Sequence, residues 1–498
     1  MVVGAEDEEG EVEGMKTPAL PHQAKELSQH GTDHTRAIWW EMGLGKSWVA
    51  LAEAEQLFLA GEIDAMLVLA PGGLHRSWCL YEIEPHLSTP YMAWAFDTQR
   101  AHTKKGQSEA AALLAYREGL AILTMSYDSI KTAQGKALAK KFLTSRRVFY
   151  VADESTRIKT PSALVTRTVL ASAKYAPYRR ILSGTPVTNS PFDVYSQMKF
   201  LDPDFWAKTP YGIGTYGAFK TFFGIWSTGY NGAQGREYRV LVEFKNLDIL
   251  KQLLAPVATR LKKEDVLNLP EQTYSFAGFD LSPRQRQLYN TLESEFLAFL
   301  DGELVTAPLA IVRLLRLQQI VSGYLPIEGE FREIDDKNPR LDLLQEVTED
   351  LGHKAIIWAR FVRDIDLICA RLGDKCVRWD GTLPMDERET HKRRFLEDDA
   401  VQFIVATPAS MSEGHTLVPA LTSIFYNNSY KLSERLQAEA RNHRIGQTQP
   451  VHVLDIVAND TLDVKIVEAL RKKFDVASSL IDNKFRNWLK SPLTTLPE

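Results

Sequence analysis

The stretch from Arg36 to Ala60, RAIWWEMGLGKSWVALAEAEQLFLA, limits the folds open to this chain more than any other. A short apolar run of strand character, Ala37 to Trp40, breaks at Gly43 and Gly45, presents Lys46 and Ser47, and continues into a helix-patterned segment. Strand, glycine-rich turn, Lys-Ser and helix in that order are the architecture of a phosphate-binding loop. Glycines let backbone N–H groups close around a phosphate, and a helix N-terminus adds partial positive charge. In such a loop Gly43, Leu44 and Gly45 form the backbone cradle, Lys46 reaches the β- and γ-phosphates, and the Ser47 hydroxyl holds Mg²⁺. By chance, G-x-G-K-[ST] should occur only about 0.02 times in a chain this long. The strict consensus wants a further glycine where Trp40 stands. The alternative is a turn leading into a helix with Lys46 solvated, and the flanking strand and helix favour the phosphate loop.

A chain of 498 residues is too long for one ordinary core and points to two to four domains. Its composition, 44% apolar and 25% charged, is that of a soluble globular protein. No apolar run approaches about 18 residues, which excludes a membrane span, and the acidic N-terminus does not read as a signal peptide. Cys79, Cys369 and Cys376 show no C-x-x-C spacing. They fit neither a disulfide framework nor a zinc site, and suit a reducing, cytoplasmic or otherwise intracellular location rather than secretion. The net charge of -5 does not advertise nucleic-acid binding. Residues 1–14, however, carry Glu6, Asp7, Glu8, Glu9, Glu11 and Glu13 and no base, so the remainder is close to neutral. This tail reads as a disordered, solubilising extension or, alternatively, as an intramolecular competitor for a basic groove.

Strand-like runs alternate with helical patterns twice along the chain. The first set is Ala37–Trp40, Ala65–Ala70, Ala121–Met125, Val148–Ala152 and Arg180–Leu182. The second is Lys354–Trp358, Cys376–Trp379, Gln402–Ala406, Ser423–Tyr426 and His452–Ile456. Such alternation predicts parallel, doubly wound sheets with ligands at the strand C-terminal ends. The loop at Gly43, Pro71-Gly72-Gly73, Asp153-Glu154 and Ser183-Gly184-Thr185-Pro186 all follow strands and describe one cleft rim. The reading is thus α/β, two parallel-sheet lobes in tandem with a helical insertion between them. The boundaries are an acidic tail over 1–14, a first lobe over 15–246 with a surface insertion at about 209–236, a helical linker over 247–334, and a second lobe over 335–498 that ends in a helix. Only the first lobe carries G-x-G-K, so a nucleotide is expected between the two.

Nucleotide hydrolysis needs one carboxylate for the metal and another acceptor to orient water. Asp153 and Glu154 can serve those roles at a strand end; in isolation such a pair is equally a solvated acidic turn. In QAEARNHRIGQ, Gln437 to Gln447, Arg441 and Arg444 stand three apart, as on one face of a helix. Guanidinium groups supplied across an interface stabilise charge on a transferring γ-phosphoryl group. On spacing alone a solvated basic helix turn fits this segment as well.

Several segments together resemble the Swi/Snf-type ATPases of helicase superfamily two. EMGLGKS resembles the family's D-E-M-G-L-G-K-T, LVLAPGGLHRSW its strand and P-x-x-L-x-x-x-W, and DESTRIKT its D-E-x-H-R-I-K-N. ILSGTPVTNSPFDVYSQMKFLDP, RLKKEDVLNLP, KAIIWARF and QAEARNHRIGQ follow in family order over most of residues 16–482. The resemblance implies RecA-like lobes, ATP and Mg²⁺ as cofactors, and double-stranded DNA as partner. It assigns Lys46, Asp153, Glu154, Arg441 and Arg444 to catalysis, Ser47 and Asp153 to the metal, and Gln23 to reading adenine. Gly414 carries over from a nucleotide-side loop that here departs from A-G-G-x-G-x-N-L. Candidate DNA contacts are Gly73, Ser77, Trp78 and Thr407, with buried core the other reading of Trp78. Trp40 replaces an Asp before the loop, Ser155-Thr156 replaces a small residue and His, and SYKLSE stands where W-N-P is usual.

The expected function is a DNA-dependent ATPase that translocates on duplex DNA as a monomer. A strand-separating DNA or RNA helicase of the same superfamily, and a nucleotide-gated nucleic-acid-binding module with weak turnover, are the alternatives.

Overall fold

The computed structural model describes residue 12 and residues 14–188, 190–231, 236–302, 307–411 and 416–481. The chain divides into two compact units, Met1–Trp226 with Leu241–Asn268, and Ser227–Val240 with Leu269–Glu498.

In the first unit the strands are β1 (Thr35–Trp40), β2 (Ala65–Ala70), β3 (Tyr91–Ala95), β4 (Leu120–Ser126), β5 (Val148–Asp153) and β6 (Tyr178–Leu182). A separate two-stranded sheet, most of whose residues belong to the second unit, pairs β7 (Gly224–Asn231) with β8 (Arg236–Phe244), and β9 (Ala258–Leu261) returns to the main sheet. The order is β3-β4-β2-β5-β6-β1-β9, parallel throughout. Central strands such as AMLVLA are buried along their whole length, as expected where helices cover both faces of a parallel sheet. Register decides where the loops emerge. Asp153 lies opposite Leu182, and Leu182 opposite Ile38, so β5, β6 and β1 reach one edge of the sheet together.

The five predicted strands are present, and β3 and β9 join them. Strand β9 lies in the stretch read as a helical linker, which it interrupts. Four residues, ATRL, are too few to show a period, and a tertiary knot holds them. Arg36 Nε lies 3.1 Å from Glu26 Oε1, its Nη1 donates to Pro256 O at 3.0 Å, and Thr259 Oγ1 donates to Glu26 at 2.9 Å. The surface insertion contains a helix, Tyr216–Phe223, anchored by Phe219 and Phe223 in an aromatic cluster with Trp206.

The second unit holds β10 (Gln272–Phe279), the hairpin β11 (Tyr324–Ile327) and β12 (Glu330–Glu333), β13 (Lys354–Trp358), β14 (Cys376–Trp379), β15 (Phe403–Ala406), β16 (Ala420–Phe425) and β17 (Val451–Ala458). Its main sheet is parallel, in the order β10-β17-β16-β13-β15-β14. Strand β10 is the second correction to the helical reading, paired with β17 from Gln272 opposite Val451 to Phe279 opposite Ala458. The helices Pro283–Gly302 and Ala307–Val321 follow it. The helix Leu462–Ile481 buries Leu462, Ile466 and Leu470 in this core; the rest of the segment read as helical lies outside the described residues. Arg340, fully buried between the rings of Phe279 and Tyr426, pairs with Asp463. Burial pushes nearby Asp364 up to about 6, against hydrogen bonding from Asn427 and the Arg340 charge. Among the described residues no helix is long and apolar enough to cross a membrane.

Candidate active site

The loop after β1 turns on two glycines with left-handed backbone, Gly43 at φ 86° and Gly45 at φ 74°. Helix α1 covers Pro21–His30, and Gly45 caps the N-terminus of helix α2, Lys46–Leu59. Its lack of a side chain matters twice, because a Cβ there would lie 2.1 Å from Gln23 Nε2. Gln23 Oε1 accepts from Leu20 N at 2.8 Å, while its amide nitrogen reaches Leu44 O at 3.4 Å, and His22 Nε2 lies 3.0 Å from the same carbonyl. Helix α1 therefore clasps the loop from outside. Lys46 Nζ donates to Trp40 O at 3.0 Å and Glu41 O at 3.2 Å, and Ser47 follows in the first turn of α2. Trp40 occupies the consensus glycine position as fully buried core, edge-on to His22 at 5.3 Å.

Asp153 ends β5, buried, with both carboxylate oxygens engaged. Trp78 Nε1 donates to Oδ2 at 3.0 Å and the Glu154 N–H to Oδ1 at 2.9 Å, while Tyr127 OH donates to the Asp153 carbonyl at 2.7 Å. Burial raises the Asp153 pKa; the Trp78 hydrogen bond and the Lys46 charge oppose it. Glu154 adopts φ 48°, ψ 55°, a left-handed conformation uncommon for a residue with a side chain. Next to it, Ser155 Oγ donates to Gln197 Oε1 at 2.7 Å, and Gln197 Nε2 donates to Pro186 O and Asp193 O, both at 2.8 Å. The turn after β6 closes on the loop, since a Cβ on Gly184 would lie 3.0 Å from Met42 Cγ. Gln197, Tyr127 and the role of Trp78 escaped sequence reasoning. A glutamine inside the apolar helix VYSQMKFL was the one available signal, because a buried amide must find partners.

Trp78 is 1% exposed and its N–H is spent on Asp153, which corrects its candidacy as a DNA contact. Ser77 is also buried, whereas Gly73 is partly exposed with φ 87°. Thr407 follows β15, half-buried, its hydroxyl donating to Ser410 Oγ at 2.8 Å. Gly414 and the tail acids Glu6, Asp7, Glu8, Glu9, Glu11 and Glu13 lie outside the described residues.

The arginine segment differs from its reading. The helix covers Leu432–Glu439, and Arg441 and Arg444 lie in the turns beyond it. Asn442 draws the chain off the helix axis: its Nδ2 donates to Ala420 O at 3.1 Å and its Oδ1 accepts from Ser423 Oγ at 3.2 Å, both on β16. Gln447 Nε2 donates to Val418 O at 2.9 Å and Asn442 O at 3.1 Å, and Gly446 completes the turn at φ 96°. Arg441 is 6% exposed and Arg444 half-buried. Arg435 anchors the helix, paired with Asp455 and Glu439 and donating to Asn428 Oδ1 at 3.0 Å.

These segments match known families. The SNF2-related domain matches residues 36–322, and the helicase conserved C-terminal domain matches residues 339–446. The chain belongs to the Swi/Snf-type ATPases of helicase superfamily two. The Swi/Snf chain carries two parallel α/β sheets, one in each unit. It is similar to the SWI/SNF chromatin-remodeling complex subunit snf22 of Schizosaccharomyces pombe, 24% identical over 90% of this chain and 27% of that protein. The transcription regulatory protein SNF2 of Saccharomyces cerevisiae is also 24% identical, over 90% of this chain and 26% of its own length. The probable ATP-dependent DNA helicase CHR23 of Arabidopsis thaliana is 25% identical, over 91% and 42%. The chain thus spans less than half the length of these relatives. A solved Sulfolobus solfataricus SWI2/SNF2 ATPase core in complex with dsDNA is 22% identical, with a TM-score of 0.41 over 95% of both chains.

Proposed function

We propose that this chain couples ATP hydrolysis to movement along double-stranded DNA. The observation that carries the reading is the convergence, at one edge of the first sheet, of the glycine loop after β1 and the Asp153–Glu154 turn after β5. Left-handed Gly43 and Gly45, the N-terminus of α2 and the Lys46 ammonium form a donor set suited to a polyphosphate. Gln23 lies against the same loop, where an adenine edge would be read. Ser47 and Asp153 would hold Mg²⁺, which when bound supplies positive charge to the β- and γ-phosphoryl oxygens. Glu154 orients the attacking water and accepts its proton. Arg441 and Arg444 are assigned to the charge that develops on the γ-phosphoryl group, and Gly414 to the same nucleotide.

Gly73 and Thr407, at strand C-terminal ends in the two units, are assigned to the DNA backbone. Contacts to phosphate position a protein without reading sequence, so affinity should fall steeply with salt. ATPase rates on duplex DNA, single-stranded DNA, branched DNA and RNA test the partner. Triplex displacement against forked-duplex unwinding tests the movement. Unwinding without triplex displacement would replace the translocase reading with a strand-separating one, and turnover that duplex DNA does not raise would leave a nucleotide-gated binding module.

A further inference from the structure

The peptide at Glu154 is held where a residue with a side chain does not rest unaided. At φ 48° and ψ 55° it sits in the left-handed region, which costs an L-residue about 1–2 kcal/mol. Such a conformation persists only where its surroundings over-determine it. Here two buried side chains from separate elements do so. Upstream, Trp78 brings its indole N–H to Asp153 Oδ2 at 3.0 Å from the segment after β2. Downstream, Gln197 accepts from Ser155 Oγ at 2.7 Å and is itself fixed by donating to Pro186 O and Asp193 O at 2.8 Å. Trp78 is 1% exposed, Ser155 and Gln197 are fully buried, and water cannot replace either partner. The residues before and after the strained peptide are therefore pinned from opposite directions.

We propose that Trp78 and Gln197 are positioning residues that clamp the Asp153–Ser155 turn and so aim the two hydrolytic carboxylates. Neither touches nucleotide; each acts through the turn. The inference rests on the assignment of Asp153 and Glu154 to hydrolysis given above. It also accounts for the departure at Ser155, whose hydroxyl exists in this chain to meet an amide on the helix Val194–Leu201.

The clamp is required for the chemical step, not for holding nucleotide on the loop after β1. Trp78→Phe keeps an aromatic, smaller ring and removes the N–H; Gln197→Leu keeps the bulk and removes the amide; Ser155→Ala removes the hydroxyl alone. Each should lower kcat for ATP by about ten-fold or more, the scale of losing a hydrogen bond that fixes a charged group, while the affinity for a non-hydrolysable ATP analogue changes less than about three-fold. Ser155→Ala and Gln197→Leu should not add when combined, because they remove one bridge. Trp94→Phe, which alters an indole bonded to Glu109 at the far edge of the sheet, should leave kcat unchanged.

Full-length variants are compared by single-turnover hydrolysis, analogue binding and thermal midpoint, with Glu154→Gln alongside. If Glu154→Gln turns over normally, the assignment of the carboxylates fails. If Glu154→Gln is slow but the clamp variants turn over at the parental rate, the clamp is refuted. Equal losses of kcat and analogue affinity, following the thermal midpoint, would make Trp78 and Gln197 ordinary core residues and also overturn the proposal.

Discussion

Gly45→Ala probes how α1 grips the phosphate loop. The substitution strains the backbone, because φ 74° lies in the left-handed region and costs an alanine about 1–2 kcal/mol. It also places a methyl group 2.1 Å from Gln23 Nε2, so the amide must leave. Departure breaks the 2.8 Å bond from Leu20 N, a further loss of about 1–2 kcal/mol for a partly buried donor left unsatisfied. The loop escapes both penalties by relaxing, and nucleotide binding must then restore the competent form. The expected loss is about 3 kcal/mol, roughly a hundred-fold in Kd for a non-hydrolysable ATP analogue. In a Gln23→Ala background the collision is gone and only backbone strain remains, so Gly45→Ala should cost about ten-fold. Calorimetric titration of the four proteins closes the cycle. Equal penalties in both backgrounds would refute the packing of Gln23 against Gly45.

Lys46→Ala should abolish ATP hydrolysis with the thermal midpoint preserved, read by phosphate release and melting. Arg444→Ala should keep analogue binding within a few-fold and lose DNA-stimulated turnover; normal stimulated turnover would refute the arginine assignment. Asp364 sets a pH dependence in the second unit. Its folded value of about 6 exceeds the ordinary carboxylate value of about 3.9, so the stability it contributes is complete below about 4 and is lost as pH rises through about 6. The groups facing it are Arg340, Asn427, Ser322, Tyr324 and Tyr426. Asp364→Asn should flatten that slope by about 2 kcal/mol in urea denaturation at pH 4.5 and 7.5, and an unchanged slope would refute it.

Much of the site was legible because its chemistry is local. A loop that wraps phosphate must have glycines where the backbone turns left-handed, and Gly43 and Gly45 announce this in the chain. Long buried strands such as β2 and β5 are likewise visible as apolar runs. Strands β9 and β10 were hidden in a helical stretch because their partners, β1 and β17, lie far away in sequence. Periodicity over four to eight residues carries little of that information.

The arginines show the same division. QAEARNHRIGQ marks Arg441 and Arg444 as a pair, but a helix through both is prevented by Asn442, whose side chain finds β16 only when the chain is folded. By itself, then, the sequence determined the α/β class and the order of the two lobes, and it named the candidates proposed for phosphate and metal. The tertiary structure decided that Trp78 serves Asp153 rather than DNA, that Gln197 reaches Ser155, and that the arginines leave their helix. Each is a long-range hydrogen bond made by a buried polar group, and such a group declares its need for a partner in the sequence without saying which partner it will meet.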